Sequence, residues 1–129
     1  MVSPGKYGSL AERYAAKKYG IELDYPMIDG VRFDGSKNGR PVEIKAAASN
    51  RRGGSVKGTA LFRVWKDEHE LLERENGYMI FVEYTKRGNG IAVNRSRSVR
   101  ARDMKISNWM ARVGPRDERQ AQIQPSQVF

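Results

Sequence analysis

The dipeptide Asn38-Gly39 constrains the fold of this chain more than any other short stretch, because it separates two segments in which apolar and polar residues alternate. A type I′ hairpin turn needs positive φ at both central positions, and Asn followed by Gly suits both. Val31 and Phe33 alternate with polar residues before the turn, and residues 42–46 read VEIKA after it. Alternation with a period of two is typical of half-buried strands. The sequence therefore predicts an antiparallel hairpin.

The turn also sets the register of this hairpin. With Asn38 and Gly39 at its centre, Asp34 falls opposite Glu43, and Lys45 follows Glu43 on the same strand face. Directly opposed Cβ atoms lie about 5 Å apart, so two facing carboxylates repel each other unless a cation compensates them. Mg²⁺ binds one or two carboxylates together with water and phosphate oxygens. The pair thus indicates a site for phosphodiester chemistry, where Lys45 can stabilise the phosphate charge or orient the attacking water.

The same register predicts three further pairs: Arg32 with Lys45, Phe33 with Ile44, and Val31 with Ala46. The apolar members fall together, which favours this register. A plain surface hairpin is the alternative interpretation. In that case Asp34 belongs only to a turn, and Glu43 and Lys45 form a solvated strand face, because Glu-x-Lys alone is a common pattern.

Helices and further strands are predicted around the hairpin. Residues 9–19 have helical apolar spacing, Ser9 and Glu12 have the spacing of a capping box, and Gly20 follows where a helix would stop. Asp67 and Glu70 form a second capping pattern. Beyond the hairpin, the sequence predicts a short strand at 60–65, a helix over 68–75, a central strand at 78–84, a strand near 91–94 and a short closing helix over 101–110. This order predicts an α/β sheet with helices packed on it.

The charge of the chain indicates a polyanionic partner such as nucleic acid. Its 129 residues, expected to form one domain over 1–129, include 24 Lys and Arg against 15 Asp and Glu, a net charge of +9. There is no cysteine and one histidine, His69, which excludes disulfides, cysteine zinc sites and histidine-rich metal sites within one subunit. His69 is expected on the surface of a first helical turn. No apolar run is long enough to span a membrane, so a soluble, cytoplasmic protein without membrane contact is expected.

Glu12, Asp34 and the triplet EIK at residues 43–45 together resemble the PD-(D/E)XK nuclease superfamily, which includes many restriction endonucleases and archaeal Holliday-junction resolvases. The resemblance implies a restriction-endonuclease-like αβββαβ core with a mixed central sheet flanked by helices. It also implies Mg²⁺, for which Mn²⁺ can substitute, held by Asp34, Glu43 and the backbone carbonyl of Ile44. Lys45 would assist catalysis, and Glu12 would be a further metal or water contact.

One acidic residue competes with Asp34 for this role. No proline precedes Asp34, where the family pattern would place one, and Asp29 lies a few residues earlier. Strand parity puts Asp29 on the side of Val31 and Phe33, so Asp34 is the predicted ligand, unless a bulge near Gly30 shifts the parity.

The function implied by the resemblance is a Mg²⁺-dependent endodeoxyribonuclease similar to junction resolvases, which bind branched DNA as homodimers. A sequence-specific type II-like restriction endonuclease and a non-catalytic nucleic-acid-binding module are the alternatives. A basic, glycine-rich loop spans residues 49–58, and a polar tail begins at about residue 114 and ends at 129. The predicted DNA contacts are Arg51, Arg52, Lys57, Arg63, Lys66, Arg95 and Arg97.

Overall fold

The structure is a computed structural model that describes residues 4–49, 61–110 and 119–129. Most of the predicted basic loop, with Arg51, Arg52 and Lys57, lies outside these residues. The elements in chain order are α1 Pro4–Tyr19, β1 Met27–Ile28, β2 Val31–Arg32, β3 Gly35–Lys37, β4 Arg40–Ala48, β5 Phe62–Trp65, α2 Lys66–Arg74, β6 Tyr78–Arg87, β7 Gly90–Arg100, a one-turn 3₁₀ helix Ala101–Asp103, β8 Gln120–Ile123 and α3 Pro125–Val128.

A four-stranded mixed sheet in the order β3-β4-β6-β7 forms the centre of the fold. β4 and β6 are parallel, whereas β3 pairs with β4 and β7 pairs with β6 in the antiparallel sense. Ala11 and Ala15 of α1 are buried on one face of the sheet, and Leu72 of α2 is buried on the other face. The predicted α/β architecture, a mixed sheet flanked by helices, is therefore confirmed.

Alternation along β4 assigns its side chains to the two faces. Val42 and Ile44 pack in the core beneath α1, while Ala47 packs in the core on the α2 side. Glu43 and Lys45 therefore point to the α2 side, because successive strand residues face opposite ways. β6 is apolar on both faces, which suits an inner strand that is covered on both sides. The predicted central position of residues 78–84 is confirmed.

The predicted turn is confirmed, but the hairpin is shorter than predicted. Asn38 and Gly39 have φ of 52° and 76°. The register pairs are Gly35 with Val42, Ser36 with Pro41, and Lys37 with Arg40. Pairing with β4 stops there, because β2 pairs with β1 across a second turn in which Asp29 and Gly30 also have positive φ.

The predicted pairs of residues 31–33 with β4 were therefore wrong. Val31 and Arg32 pair with Ile28 and Met27 instead. Phe33 is buried in the α2-side core, whereas Ile44 is buried beneath α1, so the two side chains of the predicted apolar pair lie on opposite faces. An Asp-Gly turn can form a hairpin just as an Asn-Gly turn can. Residues 31–32 therefore pair with β1 across this second turn and not with β4.

On its outer edge, β3 forms one isolated β-bridge with the segment that follows α1. The backbones of Glu22 and Ser36 exchange hydrogen bonds of 2.9 and 2.8 Å. A Cβ atom on the neighbouring Gly35 would lie 2.4 Å from the carbonyl oxygen of Glu22. Glycine is thus required at position 35 by the close approach of two backbones.

Both predicted capping patterns were wrong. α1 begins at Pro4, so Ser9 lies inside the helix and Glu12 has no capping role. Proline suits the first turn of a helix because its missing N–H would have had no partner there. α2 begins at Lys66 directly after β5, and the residue at its N-cap is Trp65, without a side-chain capping bond.

The C-terminal third contains the largest corrections. The predicted closing helix over 101–110 was wrong, since only Ala101–Asp103 form a helical turn there. Part of the predicted polar tail is structured: β8 pairs with β5, and Ala121, Ile123 and Val128 are buried in the α2-side core. A four-residue strand with two inward apolar side chains gives too weak a pattern to stand out among polar residues.

His69 is buried, contrary to the prediction of a surface residue, with 2% of its surface exposed. Its Nε2 lies 3.1 Å from the carbonyl oxygen of Met104 and 3.0 Å from Oε1 of Glu73. Burial lowers its pKa, against the opposing charge of Glu73. The histidine thus attaches the segment after β7 to α2. None of the helices in the described residues has the length and apolar character needed to cross a membrane.

We expect Ile123→Ala to lower the free energy of unfolding by about 2–5 kcal/mol, because it leaves a cavity in the core between β8 and the sheet. Urea unfolding measures this value. Ser126→Ala, at an exposed position of α3, is the control and should have little effect. Equal stability of Ile123→Ala and wild type would show that β8 is not part of the cooperative core.

Candidate active site

Asp34 lies in a bend that immediately precedes β3, at the end of the pairing between β3 and β4. Its backbone N–H donates to the carbonyl oxygen of Val42 at 3.1 Å. Its carboxylate oxygen Oδ2 accepts a hydrogen bond of 2.7 Å from the backbone N–H of Ile44. The side chain thus serves as the acceptor that a backbone carbonyl would supply in a continued strand. This bond holds the Asp34 carboxylate against β4, beside the side chain of the residue that precedes Ile44.

That neighbouring side chain is Glu43, which has 7% of its surface exposed. Burial raises the pKa of Glu43 far above its ordinary value, and a hydrogen bond with Asp34 and the charges of Asp34 and Glu68 add to the effect. The charge of Lys45 opposes it. Glu43 therefore keeps its proton at neutral pH when no cation is present.

Lys45 faces α2 and forms an ion pair with it. Its Nζ lies 3.6 Å from Oε2 of Glu68, and the two side chains are 19% and 15% exposed. The sequence interpretation did not identify Glu68 as part of the site. A glutamate among six acidic residues in 67–83 carries no distinguishing signal, and only the packing of α2 on the sheet reveals its position.

Glu12 reaches the same place from α1, on the other face of the sheet. Burial raises the pKa of Glu12, and both the charge of Asp34 and a hydrogen bond with it raise the pKa further. The structure therefore brings together all four predicted catalytic residues: Glu12, Asp34, Glu43 and Lys45.

Asp29 lies elsewhere. It is exposed in the turn between β1 and β2, and its Oδ2 is 2.6 Å from Nη2 of Arg74. Of the two competing aspartates, Asp34 is thus the one that contacts Glu43.

The donor set at this site suits a hard divalent cation. No group of three or more acidic or histidine side chains able to hold a metal ion occurs within the described ranges. Two carboxylates are present, however, and Mg²⁺ commonly binds through one or two carboxylates and completes its shell with water and substrate oxygens. The buried Glu43 carboxyl group beside the partly buried Asp34, with a pKa raised chiefly by burial, is the local observation that fits such an ion.

The predicted DNA-binding cations that the structure describes have differing surroundings. Arg63 is exposed on β5. Lys66 forms an ion pair with Glu70 on the surface of α2. Arg95 lies 3.2 Å from Glu83 and stacks on the ring of Phe129, and Arg97 donates to the carbonyl oxygen of Val128 at 2.6 Å. The last two arginines hold the C-terminal residues on the sheet.

A cavity of about 440 Å³ lies away from these carboxylates, beside the end of β7. Arg97, Met104 and Val128 are among its lining residues, and Asp103 is the acidic one. It holds no pair of carboxylates, so the candidate site is placed at Asp34 and Glu43, where the acidic groups and Lys45 meet.

Comparison with known families agrees with this geometry. The model of the PD-(D/E)XK nuclease superfamily domain matches residues 2–129. The chain belongs to this superfamily. Its mixed sheet with flanking helices is consistent with a restriction-endonuclease-like fold, and superfamily members typically use divalent metals. No match was found among curated proteins or among solved structures.

Membership in the superfamily implies a nucleic-acid substrate.

We expect Glu43→Gln to stabilise the metal-free protein, increasingly so as the pH rises. Because folding raises the pKa of Glu43 above its ordinary 4.5, the folded state keeps a proton that the unfolded chain has lost. The contribution of Glu43 to stability therefore falls with rising pH between these two pKa values, by at most about 1.4 kcal/mol per pH unit. Glutamine removes this dependence.

Urea unfolding in EDTA between about pH 6 and pH 8 tests this expectation. The gap in unfolding free energy between Glu43→Gln and wild type should widen with pH. Glu70→Gln, which removes an exposed carboxylate paired with Lys66, should show a constant gap. A constant gap for Glu43→Gln would contradict the expectation.

Proposed function

We propose that this protein is a metal-dependent DNA endonuclease that hydrolyses phosphodiester bonds and acts on branched DNA in the manner of a Holliday-junction resolvase. The observation that carries the proposal is the hydrogen-bonded pair of Asp34 and the buried Glu43, with Lys45 on the same strand face. Membership in the nuclease superfamily and the net charge of +9 support a nucleic-acid substrate.

In this proposal Asp34, Glu43 and the carbonyl oxygen of Ile44 hold Mg²⁺, and Mn²⁺ can replace it. When bound, the cation supplies electrostatic stabilisation of the charge that develops on the phosphate. Cation binding also requires the proton of Glu43 to leave, so affinity for the metal should rise with pH.

The protein's own groups position the reactants. Water attacks phosphorus, a new P–O bond forms, the ester P–O bond in line with it breaks, and the leaving oxygen takes up a proton from a solvent water. The ammonium of Lys45, held beside Glu68, donates to a phosphate oxygen or to the attacking water. Glu12, whose pKa is raised by burial and by Asp34, accepts a proton from that water.

Two features favour recognition of DNA structure over DNA sequence. The turns that join β3 to β4 and β6 to β7 are short, at Asn38-Gly39 and Gly88-Asn89. Reading of base edges requires an element that enters a groove, and within the described residues no long insertion extends from the sheet to do so. A homodimer is part of the proposal, since cutting both strands of a junction needs two sites.

We expect Mg²⁺-dependent cleavage of a labelled four-way junction by the wild type, and a loss of at least about a hundredfold in Asp34→Asn or Glu43→Gln. Gel analysis with Mg²⁺, Mn²⁺ or EDTA measures it. Asp29→Asn is the matched control, because Asp29 is the competing acidic residue and is paired with Arg74 on the surface. It should retain activity.

The choice of substrate separates the candidate functions. Preference for the junction over linear duplex supports the resolvase, and cleavage of duplex at one sequence would make a restriction enzyme the better assignment. DNA binding without any cleavage in Mg²⁺ or Mn²⁺ would overturn the nuclease proposal in favour of a binding module.

We further expect Glu68→Gln to lower the cleavage rate by about ten- to a hundredfold, because the Lys45 ammonium loses the charge that positions it. The loss should appear in kcat, with KM for DNA nearly unchanged, because Glu68 acts through Lys45. Glu73→Gln, on the same helix but beside His69, is the control. An unchanged kcat in Glu68→Gln would remove Glu68 from the site.

A further inference from the structure

Three cations surround one tyrosine at the end of the sheet near the hairpin turn. Lys37 and Arg40 are directly paired across β3 and β4, and Tyr78 and Arg100 are directly paired across β6 and β7. Tyr78 packs against the core beneath α1. Since Arg40 and Tyr78 precede Val42 and Ile80 by two residues, and paired residues share a face, all four side chains lie on the α1 side.

The contacts draw the cations together at the phenol. Nη1 of Arg40 lies 3.5 Å from the Tyr78 hydroxyl, and Nζ of Lys37 lies 5.6 Å from the ring centroid. Arg100, directly opposite Tyr78 across β6 and β7, adds its charge near the hydroxyl. Burial would raise the pKa of Tyr78, but the hydrogen bond from Arg40 and the charge of Arg100 outweigh it and lower the pKa.

This cluster carries an uncompensated positive charge. Among the described residues, the ion pairs with carboxylates do not involve Lys37, Arg40 or Arg100. The carboxylate that reaches β3, that of Asp24, accepts a hydrogen bond of 2.7 Å from Ser36. Like charges directly opposite each other on paired strands destabilise a sheet, so the arrangement favours a bound anion.

The cluster lies at the opposite end of β3 from the candidate active site. Asp34 immediately precedes this three-residue edge strand, and Lys37 is its last residue. At about 3.3 Å per residue, the two are about 10 Å apart along the strand. The cluster lies on the α1 side of the sheet, whereas Glu43 and Lys45 point to the α2 side, so a DNA strand that contacts both must pass around the edge strand β3.

We propose that Lys37, Arg40 and Arg100 form a phosphate-binding site that holds the DNA backbone near the hairpin turn, at the other end of β3 from the bond to be cut. The inference rests on the proposed function for its substrate and adds a site to it. Two guanidinium groups supply donors that match phosphate oxygens, and the ammonium adds a point charge.

Three other arginines show a contrast with this cluster. Arg95 is paired with Glu83, Arg97 is bound to the Val128 carbonyl, and Arg74 is paired with Asp29. These three charges are compensated or occupied within the chain. The cluster around Tyr78 is instead held together by a neutral phenol, which orients the cations and leaves their charge available to DNA.

The test is the salt dependence of DNA binding, measured by fluorescence anisotropy in EDTA with a short labelled duplex and a labelled four-way junction. The variant combines Lys37→Gln, Arg40→Gln and Arg100→Gln. Each lost phosphate contact reduces the magnitude of the slope of log K against log salt by about 0.9. The triple variant should therefore reduce that magnitude by about 2–3. Arg100→Gln alone, at an exposed position, should lower the slope by about 1.

The control has the same change in net charge. It combines Arg74→Gln, Lys105→Gln and Arg119→Gln, all at exposed positions away from β3, and its slope should stay near that of the wild type. The proposed phosphate site would be overturned if the cluster variant and the wild type have equal slopes, or if both triple variants lose the same amount of slope. Cleavage by the wild type would still support the nuclease in either case. A wild type that neither binds nor cuts DNA would overturn both proposals.

Discussion

The hydrogen bond from the Ile44 N–H to the Asp34 carboxylate determines the arrangement of the site. It joins a side chain in an irregular bend to the most rigid part of the molecule, an inner strand buried on both faces. A carboxylate held by a loop alone would keep several rotamers, each with a different distance to Glu43. Because the partner is a backbone amide in the sheet, the position of Asp34 is fixed by the same bonds that fix β4.

The site collects acidic groups from both faces of the sheet, at a cost to stability. α1 contributes Glu12 from one side, and α2 contributes Glu68 from the other. Burial raises the pKa values of Glu12 and Glu43, and the charge of Asp34 raises both further, so the fold holds these carboxyl groups where their charged forms are disfavoured. Groups that destabilise the unliganded protein in this way are typical of functional sites, where stability is exchanged for binding or catalysis.

The parts of the fold that the sequence predicts are those with a strong local signal. Asn38-Gly39 determines its turn by backbone conformation alone, and residues 78–84 are apolar enough to require burial on both faces. Alternation along the EIK triplet places Glu43 and Lys45 on one face of the strand and Ile44 on the other. Asp34 was placed beside Glu43 by assuming a continuous strand, and it lies there because of its side-chain bond.

What the sequence does not predict depends on contacts between distant segments. Asp29-Gly30 competes with Asn38-Gly39 as a turn, and only the folded chain shows that both form. His69 and Glu68 are adjacent on one helix, yet one is buried against Met104 and the other meets Lys45. β8 becomes a strand because β5 offers it an edge, and its own four residues carry little preference.

The close approach at Gly35 has a consequence for how this site can vary in evolution. Any side chain there would collide with the Glu22 carbonyl and displace the bend that carries Asp34. The constraint is steric, so even alanine would be excluded, and exchange is possible only if the segment after α1 moves as well. Lineages that keep this bend should therefore retain glycine at position 35.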